Sequence, residues 1–182
     1  MYQLFIDTHG DIIILALYKN GDVLEVLKKQ SNQSHSVYVI NMIIELLNKN
    51  SITKNDINEL YVVNGPGSFT GIRIGVTIAK TWAFCKDIKI KAINYLDILS
   101  WNIKDDEIPA ISDKRGFYLK ENNNCYYIDK TKFSDELKIK IKEEENITID
   151  YQKIYENFKN INYSNPHLVN PIYIKKIEVE KW

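Results

Sequence analysis

The pattern of apolar and polar positions in the first hundred residues predicts an alternation of strands and helices. Three strands joined by tight turns come first, because short apolar runs are separated by turn signals around Gly10 and Gly21. A helix over His35–Asn48 follows, where apolar residues recur at helical spacing. A strand, a glycine-rich turn with its helix, another strand and a short helix complete this half. The predicted bounds, apart from the two longer helices, are Tyr2–Asp7, Ile12–Tyr18, Val23–Lys28, Leu60–Asn64, Ile88–Ile93 and Leu96–Trp101.

The second half of the chain has a less regular pattern. The acidic run Lys104–Glu107 predicts a junction between an N-terminal lobe, residues 1–103, and a smaller C-terminal lobe, residues 104–182. Its charged stretch Lys138–Glu145 is interpreted as the solvated face of a helix. The predicted elements are a strand at Ile108–Ser112, a hairpin of Phe117–Lys120 and Cys125–Asp129, and helices over Ser134–Glu145 and Tyr151–Phe158.

The glycine-rich turn after the fourth strand is the most distinctive local feature. Gly65 and Gly67 can adopt backbone angles closed to other residues, and Ser68 or Thr70 can cap the helix that follows. Because free amides at a helix N-terminus bind anions, one hypothesis is a phosphate loop. The alternative, which the residues favour, is a structural turn that permits close packing of the helix. The candidate phosphate-loop residues, from this turn and from the one after the first strand, are Asp7, Thr8, Gly10, Gly65, Gly67 and Ser68.

The better-known phosphate-binding and hydrolase motifs do not fit this turn. A P-loop requires four residues between its glycines and then Lys-Ser or Lys-Thr, which are absent here. A dinucleotide-binding turn requires an acidic residue about twenty positions later, and Lys91–Asn94 contains none. The hydrolase motif Gly-x-Ser-x-Gly fails because Pro66 and Thr70 stand at its glycine positions.

The helix over His35–Asn48 is apolar over more of its circumference than its own core requires. Its apolar residues sweep roughly 260°, whereas a surface helix needs a stripe of little more than about 100°. We expect the sheet-facing residues to be Ile40, Ile43, Ile44 and Leu47. Tyr38, Met42 and Leu46 would then lie on the far edge and favour association with a partner, unless the second lobe or the neighbouring helix covers them.

The helix after the glycine-rich turn carries a row of small residues, Gly71, Gly75 and Ala79, at a spacing of four. Glycine inside a helix costs about 1 kcal/mol relative to alanine. The row therefore predicts an unusually close approach of a neighbouring element. The opposite face of this helix carries Arg73, Thr77, Lys80 and Thr81.

Composition indicates a globular protein without the excess of positive charge that would bind nucleic acid. The 182 residues include 24 basic and 24 acidic side chains, so the net charge is zero. The chain therefore lacks the positive field that binds RNA unaided. Cys85 and Cys125 have no ligand spacing, and there is no long apolar span or leader pattern. A reduced cytoplasmic protein with no membrane partner is expected.

Candidate catalytic and metal-binding residues are few. His9, His35 and His167 are isolated in the sequence, and Ser68 and Thr70 have no histidine base within sequence reach. We therefore predict no catalytic residue, no metal site and no cofactor.

The residues Gly65–Gly75 read Gly-Pro-Gly-Ser-Phe-Thr-Gly-Ile-Arg-Ile-Gly, and this long string resembles the signature of the TsaB (YeaZ) family. Further pieces occur in the order typical of that family, at Phe5–Thr8, His35–Ser36, Asp113–Gly116 and Pro171–Lys175. The resemblance implies the actin-like ATPase (ASKHA, ribonuclease H-like) α/β fold in two lobes, here with a truncated second lobe. Asp7–Gly10 would then stand where that fold has its first phosphate loop. A metal-binding His pair known in TsaD-like relatives is absent, since Val39 stands where the second histidine would be.

The resemblance also implies a role. A TsaB-like protein is a non-catalytic scaffold that pairs with the catalytic subunit TsaD, which adds a threonylcarbamoyl group to adenosine 37 of ANN-decoding tRNAs. The ATPase TsaE joins the assembly, tRNA binds only through the complex, and the subunit alone forms a homodimer. The two long helices would form the interface, with candidate residues Tyr38, Met42, Leu46, Gly71, Arg73, Ile74, Gly75, Thr77 and Thr81.

Two alternatives stay open at this point. The first is a nucleotide-binding actin-like ATPase that uses Asp7–Gly10 and Gly65–Gly71 as phosphate loops. The second is a dinucleotide-dependent oxidoreductase, which the missing ribose-binding acid makes the weaker of the two.

Overall fold

The computed structural model describes residues 1–31 and 35–175, and it contains two sheets with helices packed on the first. The first sheet has five strands in the order β3-β2-β1-β4-β5. The meander β1–β3 is antiparallel, and β4 and β5 run parallel to β1. The strand bounds are β1 Tyr2–Asp7, β2 Ile12–Lys19, β3 Asp22–Gln30, β4 Ile57–Gly65 and β5 Lys89–Asn94.

Two long helices cover one face of the first sheet. Helix α1 spans His35–Lys49 and α2 spans Phe69–Lys86. Ser68 caps α2, as predicted, because its side-chain oxygen accepts from the amide of Gly71. The inward residues of both helices form one core with Leu4, Ile6 and the other residues on that face of the sheet.

Shorter helices cover the other face of the first sheet. Helix α3, Tyr95–Ser100, follows β5 directly. The second sheet comes next along the chain, in the order β8-β7-β6-β9. The remaining bounds are β6 Ile108–Ser112, β7 Gly116–Glu121, β8 Asn124–Asp129, α4 Asp135–Lys140, β9 Ile141–Glu143 and α5 Tyr151–Phe158.

The predicted helix over residues 134–145 is wrong beyond residue 140. Helix α4 ends at Lys140, and the next three residues form β9, which pairs in parallel with β6. A short 3-10 helix, Glu144–Asn146, follows. The ladder with β6 satisfies backbone groups on that edge, and Ile141 packs against the core of the second sheet. These tertiary contacts outweigh the helical propensity of a lysine- and glutamate-rich stretch.

The C-terminal part of the chain returns to the first sheet. On α5, the ring of Phe158 stacks on that of Tyr61 with 4.2 Å between centroids. Further along, the amide of Ser164 donates to the carbonyl of Ile90, and that of Ile172 donates to the carbonyl of Asn64. Residues 151–175 therefore complete the covering of the first sheet. The division of the chain at residues 103 and 104 stays a prediction, and residues 176–182 of the predicted second lobe lie outside the described residues.

Within the part of the chain that the structure describes, none of the helices combines the length and the apolar character needed to cross a membrane.

Candidate functional site

The inward face of α1 differs from the predicted one. Met42 and Leu46 are 3% and 0% exposed, so the expectation that they face a partner is wrong. The buried stripe is Val39, Met42, Ile43, Leu46 and Leu47. Their spacing of three and four is that of one helical face. A wide apolar arc contains more than one such stripe, and its periodicity alone does not select which one meets the sheet.

Tyr38 has an intermediate position. Its side chain is half-buried and packs against the core under α1 and α2. The ammonium of Lys29 lies 4.4 Å from the centre of its ring. Tyr38 therefore stands at the margin of the helix face, where part of its surface meets solvent.

The exposed apolar row of α1 consists of Val37, Ile40 and Ile44, which are 59%, 45% and 51% exposed. These residues also follow helical spacing, at i, i+3 and i+7. Two of them, Ile40 and Ile44, were expected to face the sheet, and this expectation is wrong. Aliphatic side chains in a contiguous exposed row mark an interaction surface more often than isolated ones do.

Helix α2 contributes the adjacent part of the same surface. Arg73, Thr77 and Thr81 are exposed, as their position opposite the glycine row predicts, and Ile74 is half-buried. We call the outward residues Val37, Ile40 and Ile44 of α1, with Arg73, Thr77 and Thr81 of α2, the docking face.

The two glycines of α2 are not part of the docking face. Gly71 and Gly75 are buried, so the expectation that they contact a partner is wrong. A Cβ on Gly71 would overlap the carbonyl oxygen of Thr8, and one on Gly75 would overlap the hydroxyl of Thr8. The predicted close approach is therefore real, but the neighbour is Thr8, directly after β1 in the same chain.

Arg73 is held in place at one end of the docking face. Its guanidinium lies 3.7 Å from the ring centre of Phe69, and its Nε donates to the hydroxyl of Tyr173 at 2.8 Å. Arginine stacked on an aromatic ring and hydrogen-bonded at its edge loses much of its rotational freedom. The guanidinium is therefore presented in one orientation.

A C-terminal strap, residues 166–173, runs along the flank of α2 and was missed by sequence reasoning. The ammonium of Lys80 donates to the carbonyl of Val169 at 2.9 Å. The ring of Phe84 packs edge-on against His167, with 4.6 Å between centroids. Phe84 and Leu168 are 61% and 74% exposed, so the strap extends the apolar surface beyond α2. A signal was present in the alternation of Pro, Asn and apolar residues there, but nothing in it identified α2 as the neighbour.

The two predicted phosphate loops lie together, but their polar groups bond mainly to each other. The amide of Ser68 donates to the carbonyl of His9 at 2.6 Å. The hydroxyl of Thr8 donates to the carbonyl of Gly71 at 2.7 Å. A Cβ on Gly67 would overlap the carbonyl of His9. We call residues 7–10 together with 65–71 the loop junction.

The remaining candidates of the loop junction also have partners within the chain. The amide of His9 donates to the carboxylate of Asp7, and the carbonyl of Gly10 lies 2.9 Å from Nε2 of His35. Gly65 lies directly against the carbonyl of Ile172 in the strap. The loop junction thus uses its glycines for contact between segments of its own chain.

The ring of His9 connects the loop junction to the second sheet. Its Nδ1 lies 2.7 Å from Asp7, and its Nε2 lies 3.2 Å from Glu144. Burial alone would lower the pKa of His9, but the charges and hydrogen bonds of Asp7 and Glu144 outweigh burial and raise it to about 9. His9 therefore carries a proton at neutral pH.

A metal centre is not apparent in residues 1–31 and 35–175, where no group of three or more His, Cys, Asp or Glu side chains is arranged to hold an ion. Nε2 of His35 lies 2.9 Å from the backbone carbonyl oxygen of Gly10. The two cysteines are both free thiols, and Cys125 lies beside Asn94.

Comparison with known proteins agrees with this architecture. Residues 26–164 match the model of a family described as TsaD, tRNA N6-adenosine threonylcarbamoyltransferase. The tRNA threonylcarbamoyladenosine biosynthesis protein TsaB of Bacillus subtilis (strain 168) is 37% identical over 117 residues, which are 63% of this chain and 51% of that protein. This chain thus spans about half the length of that relative.

A longer match is to the TsaB protein of Buchnera aphidicola subsp. Schizaphis graminum (strain Sg), which is 31% identical over 87% of this chain and 90% of its own length. Among solved structures, YeaZ from Pseudomonas aeruginosa superposes with a TM-score of 0.71 at 15% identity, covering 94% of this chain and 100% of that one. The predicted α/β fold is thereby confirmed as the fold of YeaZ, while the division into two lobes and the truncation of the second lobe stay predictions.

The glycine-rich string at residues 65–75, the fold and the extent of these matches lead to one conclusion: the chain belongs to the TsaB (YeaZ) family.

Proposed function

We propose that this protein is a non-catalytic scaffold in tRNA threonylcarbamoyladenosine synthesis that pairs with a TsaD-like catalytic subunit. The catalytic subunit adds the threonylcarbamoyl group to adenosine 37 of ANN-decoding tRNAs. A TsaE-like ATPase joins the same assembly in the cytoplasm, and tRNA is bound only through the complex. Without the catalytic subunit, two copies of this chain pair through the same surface.

The single observation that carries this proposal is the docking face. Val37, Ile40 and Ile44 form an exposed aliphatic row on α1, and α2, which packs against α1, exposes Arg73, whose guanidinium is held by Phe69 and Tyr173. Removing each half-exposed aliphatic side chain from water contributes about 1 kcal/mol. An apolar centre with an ordered arginine at its margin is the composition of a specific protein interface.

A helical partner fits this surface best. The side chains on a helix surface form ridges with grooves between them. The ridges of a second pair of helices can pack into the grooves of α1 and α2. The zero net charge of the chain provides no field for direct tRNA binding. Both considerations favour a protein partner.

A nucleotide-binding ATPase is the alternative, and the loop junction gives it less support. The amide of Ser68, which would be offered to a phosphate, donates to His9, and the hydroxyl of Ser68 caps α2 through Gly71. Oδ1 of Asp7 is engaged with His9, and Oδ2 is buried rather than open to a metal–phosphate group. A phosphate at this place would have to displace contacts that the chain makes with itself.

The test is a charge placed on the docking face. We expect Ile44→Glu to abolish both the homodimer and the complex with a TsaD-like subunit, because a carboxylate would be buried without a partner. Size-exclusion chromatography with light scattering measures pairing, and threonylcarbamoyl transfer to a tRNA transcript measures function. Ile139→Glu, at an 85% exposed position of α4, is the matched control and should leave both unchanged.

Two results would contradict the proposal. One is pairing and transfer that persist in Ile44→Glu at the level of Ile139→Glu. The other is ATP hydrolysis by the purified chain alone that is lost on substitution of Asp7, which would favour the enzyme. Circular dichroism of each variant separates loss of pairing from loss of fold.

A further inference from the structure

His9 lies in the turn between β1 and β2 and is only 6% exposed. Its two ring nitrogens face carboxylates from different parts of the molecule. Nδ1 lies 2.7 Å from Oδ1 of Asp7 at the end of β1, and Nε2 lies 3.2 Å from Oε2 of Glu144 in the 3-10 helix after β9. A carboxylate accepts hydrogen bonds, so both contacts are satisfied together only when both ring nitrogens carry a proton.

One face of the ring is also occupied. The ring of Tyr95 on α3 stacks on His9, with 3.5 Å between centroids and 27° between planes. On the backbone side, the carbonyl of His9 accepts from the amide of Ser68. His9 is thus held by contacts from four different segments of the chain.

Of the described residues, the titratable groups that contact His9 are Asp7, Glu144 and Tyr95, and Tyr151 lies near Asp7. Burial, followed by the charges of Asp7 and Glu144, raises the pKa of Tyr95, and burial and Asp7 raise that of Tyr151 on α5. Both phenols are therefore neutral at physiological pH. The segment before α2 contributes only backbone, and α1 contributes His35, which contacts Gly10. The single positive charge of the His9 imidazolium thus offsets one of the two facing carboxylate charges.

We propose that His9 is a latch that fastens the second sheet to the carboxyl end of β1. The bond to Asp7 fixes the ring on the first sheet, and the bond to Glu144 fixes the segment that follows β9. The turn that carries the latch also supports both docking helices, through Thr8 to Gly71 of α2 and through Gly10 to His35 of α1. The latch therefore connects the second sheet to the N-terminal ends of α1 and α2. It rests on these contacts and is independent of the proposed partner.

The latch also explains why the turn after β1 differs from an open phosphate loop. The imidazolium occupies the space at the carboxyl end of β1, and Oδ2 of Asp7 is buried without a hydrogen-bond partner. A phosphate placed there would meet two carboxylates once the ring had moved away. The structure therefore places the imidazolium of His9 where an anion-binding loop would leave backbone amides free to bind the anion.

Hydrogen exchange measured by mass spectrometry tests the latch at neutral pH. We expect Glu144→Ala to speed exchange of peptides covering residues 141–146 by about tenfold, because a charge-assisted hydrogen bond closes this segment. Exchange in β1 and β2 should stay slow. Glu145→Ala is the matched control, since Glu145 is exposed and adjacent. Because Glu144 is itself 28% exposed, its substitution leaves the core intact.

Nuclear magnetic resonance provides the second readout. The ring of His9 should titrate near 9 in the unaltered protein and about one unit lower in Glu144→Ala. Equal exchange at residues 141–146 in the Glu144→Ala and Glu145→Ala proteins would overturn the latch. Titration of His9 near its ordinary pKa of about 6.5 would overturn it as well.

Discussion

The docking face and the loop junction both include residues of α2, with Arg73 exposed in the first and Gly71 buried in the second, and their chemistry is reversed. The docking face leaves the aliphatic side chains of Val37, Ile40 and Ile44 about half exposed. The loop junction buries a charged ring and pairs the amide of Ser68, the hydroxyl of Thr8 and Oδ1 of Asp7 within the chain. The glycine-rich string therefore serves packing within the chain, while the docking face of α1 and α2 is the part available to a partner.

The largest effect is expected where a side chain is added inside the loop junction. Gly71→Ala places a methyl group against the backbone oxygen of Thr8, which cannot move without disturbing β1. We expect a loss of about 4 kcal/mol in the free energy of unfolding, measured by urea denaturation. Gly10→Ala is the control, because a Cβ at Gly10 meets no atom within 4 Å. Equal stability of the two variants would mean that the junction is looser than its contacts indicate.

The two faces of α1 should respond differently to the same truncation. Leu46→Ala removes a side chain that is fully buried, and we expect a loss of about 3 kcal/mol of stability. Ile44→Ala removes a half-exposed one and should cost less than about 1 kcal/mol in the monomer while weakening pairing. Thermal unfolding and light scattering, applied to both variants, separate the two effects. A larger loss of stability in Ile44→Ala than in Leu46→Ala would mean that Ile44 faces the sheet, as the sequence predicted.

The charge of His9 makes the loop junction sensitive to pH. Its pKa is raised from 6.5 to about 9 on folding, so the folded state binds this proton more tightly than the unfolded state. The resulting stability is complete below pH 6.5 and is lost as pH rises through 9. This corresponds to about 3 kcal/mol. We expect the unaltered protein to lose about that much more than His9→Asn between about pH 6 and about pH 10 in urea denaturation. Parallel pH profiles for the two proteins would contradict a charged His9.

The smallest effect is expected for a single hydroxyl in the loop junction. Thr8→Val keeps the shape of the side chain but removes the donor to the carbonyl of Gly71. We expect a loss of about 1 kcal/mol of stability and no change in pairing, since the residue lies away from the docking face. Calorimetric unfolding together with size-exclusion chromatography measures both. A loss of pairing would show that the junction and the docking face are coupled.

The order of elements and the existence of the loop junction could be predicted from the sequence. Strand Ile108–Ser112 and helix Tyr151–Phe158 have the predicted bounds, and Ser68, one of the two predicted cap residues, caps α2. These features depend on neighbours along the chain, such as a cap, a turn or an apolar period. The predicted interface residues Met42 and Leu46 were wrong for the opposite reason, because burial depends on a surface far away in sequence.

By itself, the sequence determined that α1 is apolar nearly all round, that α2 carries a glycine row, and that the chain resembles one family. Only the tertiary structure decided which stripe of α1 meets the sheet, that Thr8 is the neighbour of the glycines, and that the strap lies along α2. It also paired His9 with Glu144, 135 positions away. The physical reason is that periodicity specifies which residues share a face, whereas the choice among faces follows from packing against segments that meet only after folding.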